Sequence, residues 1–346
     1  MSADLETADE VCASCGKAAV DDIKLKKCAC KLVKYCGVEC QKNHRPQHKK
    51  ACKKRLAAMR DDKLFQQPEE SYLGECSICF LPLSIDPKKF MTNTCCCKRI
   101  CDGCSIANKM REIVQGLEFK CPFCREELPR CQEEGIQKYM TRVKANDPIA
   151  LCEMGKIHRD EGDYGEAFEY FKNAAELGDM DAHYNMSILY RDGQGIDKDE
   201  QKYLQHLEEA AIGGHPSARW NLACYEGESG RHDRAMKHFI IAANLGCDKA
   251  LKAVRECFST GIASKEDYEA ALRGHQAAVE ESKSEQRELV EKTREKVNHC
   301  IIAAKLGDDD ALGGVKEGFA LGLLSKAEYA ASLRGHQAAV DGRNKE

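Results

Sequence analysis

The sequence is poor in aromatic residues and has no long apolar run, and both shortages limit what the protein can be. Aromatic residues make up 6% of the 346 positions, with a single tryptophan, while charged residues make up 32%. This composition suits a helix-rich protein without a large aromatic core. No apolar run approaches the ~20 residues that a membrane-spanning helix needs. We therefore expect no membrane partner.

The first ten residues lack the basic and apolar segments of a signal peptide, being acidic and polar instead. We therefore expect a cytoplasmic or nuclear protein, in which thiols stay reduced. The formal net charge is −4, and thiolates bound to metal would make the protein more acidic still. A nucleic-acid partner is unexpected for such a chain. The basic stretch over residues 42–60 is the local exception, and we interpret it as a solvated helix face.

Cysteine is abundant and unevenly distributed, since 17 of the 22 cysteines lie at or before Cys131. Short C-x2-C pairs in a reducing compartment favour metal over disulfides. The candidate ligands form two consecutive sets of eight. The first set is Cys12, Cys15, Cys28, Cys30, Cys36, Cys40, His48 and Cys52, and the second is Cys76, Cys79, Cys95, Cys97, Cys101, Cys104, Cys121 and Cys124. Zn²⁺ takes four nitrogen or sulfur ligands, so we predict four structural zinc ions, two in each set.

The first set follows the order C-x2-C, C-x-C, C-x3-C and H-x3-C, accompanied by Tyr35 and Gln41. Over residues 12–52 this pattern resembles the MYND zinc finger. The resemblance implies two interleaved zinc sites, with Cys12, Cys15, Cys36 and Cys40 on one ion and Cys28, Cys30, His48 and Cys52 on the other. Interleaved ions hold distant segments together where the chain is too short to build a hydrophobic core.

Two positions depart from the MYND pattern. The second pair is C-x-C, where the family usually has C-x2-C, and Arg45 stands where the family has a tryptophan. MYND fingers like this one bind short proline-rich peptides in a groove lined by that tryptophan, so the groove is an open question here. His44 is an alternative ligand to His48, which the register favours.

The second set, over residues 76–128, resembles a RING finger with cysteine at every ligand position. The resemblance implies that Cys76, Cys79, Cys101 and Cys104 hold one zinc ion. Cys97, Cys121 and Cys124 would hold the other, together with Cys95 or Cys96. We assign the pair Cys95 and Cys97, because it reproduces a ligand-x-ligand step.

Two residues between these ligands and one that follows the last of them match the surface with which RING ubiquitin ligases dock a ubiquitin-conjugating enzyme. Ile78 and Pro122 match the apolar groove, and Arg125 matches the arginine that contacts both the conjugating enzyme and ubiquitin. A planar guanidinium is suited to bridging two acceptors. Catalysis would proceed by positioning, without a catalytic nucleophile or an organic cofactor on this chain. The alternative is that Ile78 only packs, Pro122 shapes a turn and Arg125 is solvated.

From residue 146 onward the chain becomes alanine-rich and repetitive. A five-residue motif recurs, with two alanines at its start and a glycine at its end. The glycine stands where a helix end favours a residue with left-handed backbone conformation. Its copies begin at Ala174, Ala210, Ala242 and Ala303 and end at Gly178, Gly214, Gly246 and Gly307. Together with Ala182-x3-Met186-x3-Tyr190, the motif resembles Sel1-like repeats, relatives of tetratricopeptide repeats, over residues 147–280. Such repeats stack into an α-solenoid that binds proteins on its concave surface.

A longer duplication ends the chain, because residues 238–279 recur as residues 299–340. Capping boxes beginning at Ser264 and Ser325 predict two equivalent helix starts. We predict a charged, exposed helical linker at 281–298 and a duplicated terminal repeat at 299–341. Residues 53–75 read as a charged linker between the fingers, helical at first and broken at Pro68.

The predicted fold class is therefore multidomain, with two small zinc-stabilised fingers followed by an all-α solenoid. The predicted function is protein interaction with RING-type ubiquitin ligase activity, in which the first finger and the repeats select the partner. A non-enzymatic adaptor is the main alternative, and a nucleic-acid-associated regulator is a weaker one.

Overall fold

The computed structural model of the protein describes residues 11–19 and 24–343. The chain divides into two units between Gln67 and Pro68. Within the described residues no helix is both long enough and apolar enough to cross a membrane.

The first unit is built on cysteines instead of an apolar core. Two short antiparallel strands, β1 (Lys26–Lys27) and β2 (Lys34–Tyr35), precede the long helix α1 (Val38–Leu64). Its buried cluster consists of three cysteines and one aromatic ring: Cys12, Cys28, Cys30 and Tyr35. Burial of so little hydrocarbon cannot offset the loss of chain entropy, so metal ligation must supply the stability.

The segment at 53–75 is helical at first and breaks at Pro68, as expected, but most of it belongs to folded elements and does not form a free linker. Helix α1 takes its first part as far as Leu64. Residues 68–75 belong to the second unit, where Leu73 is buried in a cluster with Leu83 and Ile100. The Tyr72 ring stacks on His215 at 4.3 Å between centroids. The charged composition of this segment predicts a linker, but the apolar side chains of Tyr72 and Leu73 anchor it to the second unit.

The second finger is a small α/β unit at the start of the second unit. Strands β3 (Phe90–Thr92) and β4 (Arg99–Cys101) form an antiparallel pair, and α2 (Asp102–Val114) follows at once. The Cys101 side chain accepts a hydrogen bond from the backbone N–H of Cys104, so a ligand caps this helix.

The remainder of the described chain is a helical solenoid. Its helices are α3 (Gln132–Lys144), α4 (Pro148–Asp160), α5 (Tyr164–Glu176), α6 (Met180–Asp192), α7 (Glu200–Ile212), α8 (Pro216–Glu228), α9 (His232–Asn244), α10 (Asp248–Ser259), α11 (Lys265–Glu281), α12 (Glu285–Lys305), α13 (Ala311–Ala320) and α14 (Lys326–Arg343). Helices α4 to α9 pack as successive antiparallel pairs, α4 on α5, α6 on α7 and α8 on α9. Each pair buries its alanines against the next one.

The recurring glycines end helices as predicted. Gly178, Gly214, Gly246 and Gly307 all have φ between 83° and 88°. The amide of the next residue reaches back five positions, as in the 3.0 Å bond from Asp179 N to Ala174 O. This is the Schellman arrangement, which satisfies carbonyls that the helix end leaves open.

The terminal duplication is also a structural one. Helices α9 to α11 and α12 to α14 form two equivalent three-helix packings. His275 contacts Asp248 at 2.9 Å in the first copy, and His336 contacts Asp309 at 3.0 Å in the second. Both capping boxes are formed as predicted.

The segment at 281–298 is helical and mostly exposed, as expected, but it is not a separate linker. Helix α12 runs without interruption through the expected boundary at residue 298, and its side chains Arg287, Val290 and Val297 are buried. The second finger packs against this helix and covers part of its surface. The charged composition suggested solvation, yet the arginines serve as hydrogen-bond donors to the finger.

Tight packing between α4 and α5 yields a stability prediction. A Cβ added at Gly155 would lie 2.7 Å from two ring carbons of Phe171, a fully buried side chain. We expect Gly155→Ala to lower the free energy of unfolding by about 1–3 kcal/mol, because the ring cannot move aside. Chemical denaturation measures this loss. Gly165→Ala is the matched control, since its nearest neighbour is 3.8 Å away. Equal stability of the two variants would contradict the packing.

Candidate metal centres and interaction surfaces

Sixteen ligand side chains come together as four groups of four. The groups are Cys12, Cys15, Cys36 and Cys40; Cys28, Cys30, His48 and Cys52; Cys76, Cys79, Cys101 and Cys104; and Cys95, Cys96, Cys121 and Cys124. Within each group the ligand atoms lie within 4.8 Å of one another. The number of groups equals the number of zinc ions predicted.

The distances within the groups fit tetrahedral zinc. Zn–S bonds of ~2.3 Å place two sulfurs of a tetrahedron ~3.8 Å apart. The Sγ–Sγ distances are 3.6 Å for Cys15 and Cys36, 3.7 Å for Cys28 and Cys52, and 3.9 Å for Cys79 and Cys101. The donor set of thiolates and one imidazole is also the one that zinc prefers. The residues present therefore fit structural zinc at each of the four groups.

The first finger has the interleaved arrangement that its resemblance implied. The segments carrying its two ligand groups alternate along the chain, and both groups end on α1. His48 is one of the ligands, with its Nε2 3.0 Å from Cys30 Sγ. His44 lies outside the group, because its Nδ1 is 3.0 Å from the hydroxyl of Tyr35 and its ring stacks on His48.

Hydrogen bonds within the ligand groups lower the pKa of some thiols and raise the pKa of others, such as Cys36 and Cys104. Burial raises the pKa of Cys12, but hydrogen bonds from the backbone amides of Cys36, Cys15 and Ser14 outweigh it and lower the pKa to about 6. Hydrogen bonds from the thiols of Cys101 and Cys104 likewise lower the pKa of Cys76. A lowered thiol pKa favours the thiolate, which is the form that binds metal.

The backbone repeats one hydrogen-bonded turn at the zinc ligands. At Cys12, Cys76 and Cys121 the residue's amide donates to the carbonyl five positions later, and its carbonyl accepts from the amide four positions later. The residue after the second ligand of each turn then has a positive φ, as at Phe80 (56°) and Arg125 (64°). In each of these turns, the residue with positive φ therefore marks the position directly after the second zinc ligand.

The same turn explains why the assignment of Cys97 as a ligand is wrong. Asn93 occupies the first position of such a turn, with its amide donating to Lys98 O and its carbonyl accepting from Cys97 N. Cys97 therefore takes the terminal position, with φ of 54°, and Cys96 takes the position of the second ligand. Cys96 Sγ lies 3.8 Å from Cys121 Sγ.

Cys97 instead forms part of the core between the second finger and the solenoid. It is 3% exposed and clusters with Tyr139 of α3 and with Ala150 and Met154 of α4. In the run of three cysteines, the ligand that the sequence did not reveal is therefore Cys96. Cys97, the ligand predicted from the sequence, packs the finger onto the first repeat instead.

The three candidate contacts for a conjugating enzyme lie on the two zinc turns of the second finger. Ile78 is 38% exposed, and Phe80, beside it, is 70% exposed. Pro122 lies half-buried on the other turn, next to the exposed Phe123. Arg125 is exposed, with its guanidinium 4.0 Å from Glu112. These side chains are available to a partner.

Glu112 of α2 organises this side of the finger, and sequence reasoning did not identify it. Its carboxylate is 1% exposed and accepts from the backbone amide of Lys120 at 3.4 Å. It also lies near the guanidinium groups of Arg111 and Arg125. The buried carboxylate thereby joins α2 to the last zinc turn and holds Arg125 beside it.

Helix α12 holds the finger through two guanidinium groups, those of Arg287 and Arg294, and the second donates to Lys88 O at 3.0 Å and pairs with Asp102 at 3.2 Å. Arg287 donates to Pro82 O at 2.7 Å, to Leu81 O at 3.3 Å and to Cys79 Sγ, a zinc ligand, at 3.5 Å. A further bond to Ser282 O fixes the side chain on its own segment. Nothing in the sequence predicts this contact, because its partners lie far apart along the chain. The contact connects a zinc site to the solenoid.

Two grooves complete the surfaces that could receive a partner. One, of about 640 Å³, runs along α1 in the first finger and includes Gln41 and Arg45 in its lining. The other, of about 440 Å³, lies between α6, α7 and α8 and is lined by the rings of Tyr190, Tyr203 and Tyr225 among charged side chains.

Comparison with known proteins identifies two of these modules. The family model of the MYND finger matches residues 12–52, and that of the Sel1 repeat matches residues 148–179, 181–215 and 216–247. The chain thus carries a MYND zinc finger and three Sel1 repeats, which confirms the predicted fold class of a zinc-finger region followed by a helical solenoid. These modules define a zinc-binding protein that interacts with other proteins.

Three solved structures are similar to parts of this chain. A Sel1 repeat protein from Oxalobacter formigenes has 20% identity, with 70% of this chain and 86% of that chain covered and a TM-score of 0.38. The antigen c5321 of uropathogenic Escherichia coli has 18% identity, with 62% and 50% covered and a TM-score of 0.37. MamA has 20% identity, with 43% and 87% covered and a TM-score of 0.28.

Proposed function

We propose that the protein is a RING-type ubiquitin ligase, in which the second finger docks a ubiquitin-conjugating enzyme and the MYND finger and Sel1 repeats bind the protein to be modified. The observation that carries the proposal is the exposure of Ile78 and Arg125 on different zinc turns of one finger. Both turns are stiffened by metal, so their side chains are held in place before a partner arrives.

The exposed apolar residues around these contacts support a docking surface. Phe80 and Phe123 lie on the zinc turns, while Ile113 and Val114 end α2 with exposures of 46% and 82%. Large exposed apolar side chains concentrated on one small finger are typical of an interaction site. The finger contacts the solenoid through other positions, such as Cys79, Pro82 and Gly103, so the solenoid and a conjugating enzyme would use different residues.

The role of Arg125 would be electrostatic. Its guanidinium is 52% exposed and, within the described residues, contacts Glu112 at 4.0 Å, so its donors can reach a partner's acceptors. Bridging the conjugating enzyme and ubiquitin would restrict the thioester to a reactive orientation and lower the activation free energy without a covalent step on this chain. Because this arrangement needs reduced thiols at the zinc sites, we place the protein in the cytoplasm or the nucleus.

Autoubiquitination with a panel of conjugating enzymes tests the proposal. We expect the zinc-loaded full-length protein to form chains with at least one enzyme and Ile78→Ala to abolish them. Arg125→Ala should slow ubiquitin discharge by about tenfold or more, because a hydrogen bond to a charged group contributes about 1.5–3 kcal/mol. Arg111→Ala is the matched control, since Arg111 is similarly exposed and also lies near Glu112.

Absence of chains with every enzyme, at full zinc content, would favour the non-enzymatic adaptor. Equal losses in Arg125→Ala and Arg111→Ala would exclude a specific role for Arg125. In either case the zinc content of each variant has to be measured, so that unfolding of the finger is not mistaken for loss of docking.

A further inference from the structure

One face of α1 in the first finger concentrates positive charge along a groove. Lys42, Arg45, Lys49 and Lys53 line it together, at intervals of three and four residues that place them on the same side of a helix. All four are exposed. From Lys42 to Lys53 this face extends for about 16 Å, at the ~1.5 Å rise per residue of an α-helix.

The charge in the groove is strongly one-sided. Among the described residues that line it, none is acidic. The thiolates of Cys28 and Cys52 lie in the lining, but a zinc ion held by three thiolates and one neutral imidazole carries a net charge of only about −1. The four basic side chains outweigh it, so the groove attracts anions although the protein as a whole is acidic.

Apolar side chains lie at both ends of the basic row. Val38, near its start, is 66% exposed, and Leu56, beyond its end, is 40% exposed, and both line the same groove. A ligand that follows the groove therefore meets apolar surface, then positive charge, then apolar surface. Gln41, which adds an amide with both a donor and an acceptor, lies between Val38 and the basic row.

We propose that this groove binds an acidic peptide segment of a partner protein, with apolar residues flanking the carboxylates. About five extended residues span the basic row, at ~3.3 Å per residue. Carboxylates along this stretch would pair with the four cations, and flanking aliphatic side chains would cover Val38 and Leu56. The inference deepens the partner-binding part of the proposed function, naming the chemistry that the first finger selects.

The same groove is poorly suited to other ligands. Proline-rich peptides dock on aromatic-lined grooves, but the rings in the described part of the lining, Tyr35 and His48, are 3% and 9% exposed. Arg45 stands where an exposed tryptophan would provide that surface. Single-stranded nucleic acid likewise needs exposed rings on which bases stack. The combination of cations and aliphatic ends favours a peptide.

Fluorescence anisotropy on the full-length, zinc-loaded protein tests the proposal, with a labelled peptide of consecutive glutamates flanked by leucines. Lys49→Glu combined with Lys53→Glu should weaken binding by about tenfold or more, because two attractive contacts become repulsive. Lys50→Glu combined with Lys54→Glu is the matched control. It has the same charge change and the same spacing on α1, but neither residue lines the groove. We expect it to change the affinity by no more than about twofold, through long-range attraction alone.

Equal losses in the two double variants would overturn the proposal, because they would indicate attraction to the whole basic helix. Tighter binding of a neutral proline-rich peptide, or of a single-stranded RNA oligonucleotide, would also overturn it. Zinc content and circular dichroism of both double variants exclude unfolding. No conjugating enzyme is present in this assay, so its result is independent of whether the second finger is a ligase.

Discussion

Replacing Cys96 with serine should reduce the zinc content from four ions per chain to three, whereas Cys97→Ser should leave all four in place. Cys96 is a ligand of the fourth group, and structural zinc contributes about 10–16 kcal/mol to the folding of small fingers. Three remaining ligands cannot close a structural site, so the last zinc turn, which carries Pro122 and Arg125, should lose its order. Cys97 provides the control because it is the next residue along the chain.

Metal analysis of the purified proteins, with hydrogen exchange over residues 93–126, measures the difference. Cys97→Ser should still lower the free energy of unfolding, by about 1–3 kcal/mol, because its hydroxyl is buried among Tyr139, Ala150 and Met154. Its zinc should remain bound. Loss of one zinc ion from Cys97→Ser, with all four ions retained in Cys96→Ser, would show that Cys97 and not Cys96 is the zinc ligand.

Arg287→Ala should loosen the second finger from α12 while leaving its zinc bound, and the contacts of Arg294 with Lys88 and Asp102 should remain. The side chain is 9% exposed and donates to three backbone carbonyls, those of Leu81, Pro82 and Ser282. Each buried acceptor left without a donor costs about 1–3 kcal/mol, so we expect a loss of roughly 3 kcal/mol or more at this interface. Hydrogen exchange should accelerate at residues 79–83 and at the start of α12, before the rest of the solenoid opens.

The matched control is Arg273→Ala on α11. Its side chain is 69% exposed and pairs with Glu269 one helical turn away, a contact worth only a few tenths of a kcal/mol. Arg287→Lys should recover part of the stability, because an ammonium group donates hydrogen bonds but lacks the planar fork that serves several carbonyls at once. Unchanged exchange in Arg287→Ala would mean that other contacts hold the finger.

Much of the architecture could be predicted, because ligand spacing and helix-end chemistry are local. The eight ligands of the first finger follow an ordered spacing, and the structure gathers those same residues in two groups. Gly178 and its counterparts mark helix ends because few other residues tolerate a positive φ. The capping box at Ser264 marks a helix start for an equally local reason. Each of these signals lies within a few residues of the feature that it predicts.

The features that sequence reasoning missed depend on backbone geometry or on distant contacts. Three consecutive cysteines are chemically equivalent in sequence, and only the turn that begins at Asn93 places Cys96, not Cys97, towards the metal. Arg287 lies 205 residues from Pro82, with which it bonds. A stretch of charged residues suggested solvent exposure, because nothing local reveals that its guanidinium groups satisfy main-chain carbonyls elsewhere.

If the second finger acts as the proposed ligase, its attachment to α12 also has a consequence for the choice of lysine on a modified protein. Residues 68–346 form one unit, which includes both the finger and the tyrosine-lined groove between α6 and α8. A protein bound in that groove and a conjugating enzyme bound to the finger would then be held at a fixed separation. The lysines that are modified would then be determined by their distance from the thioester and not by the sequence around them.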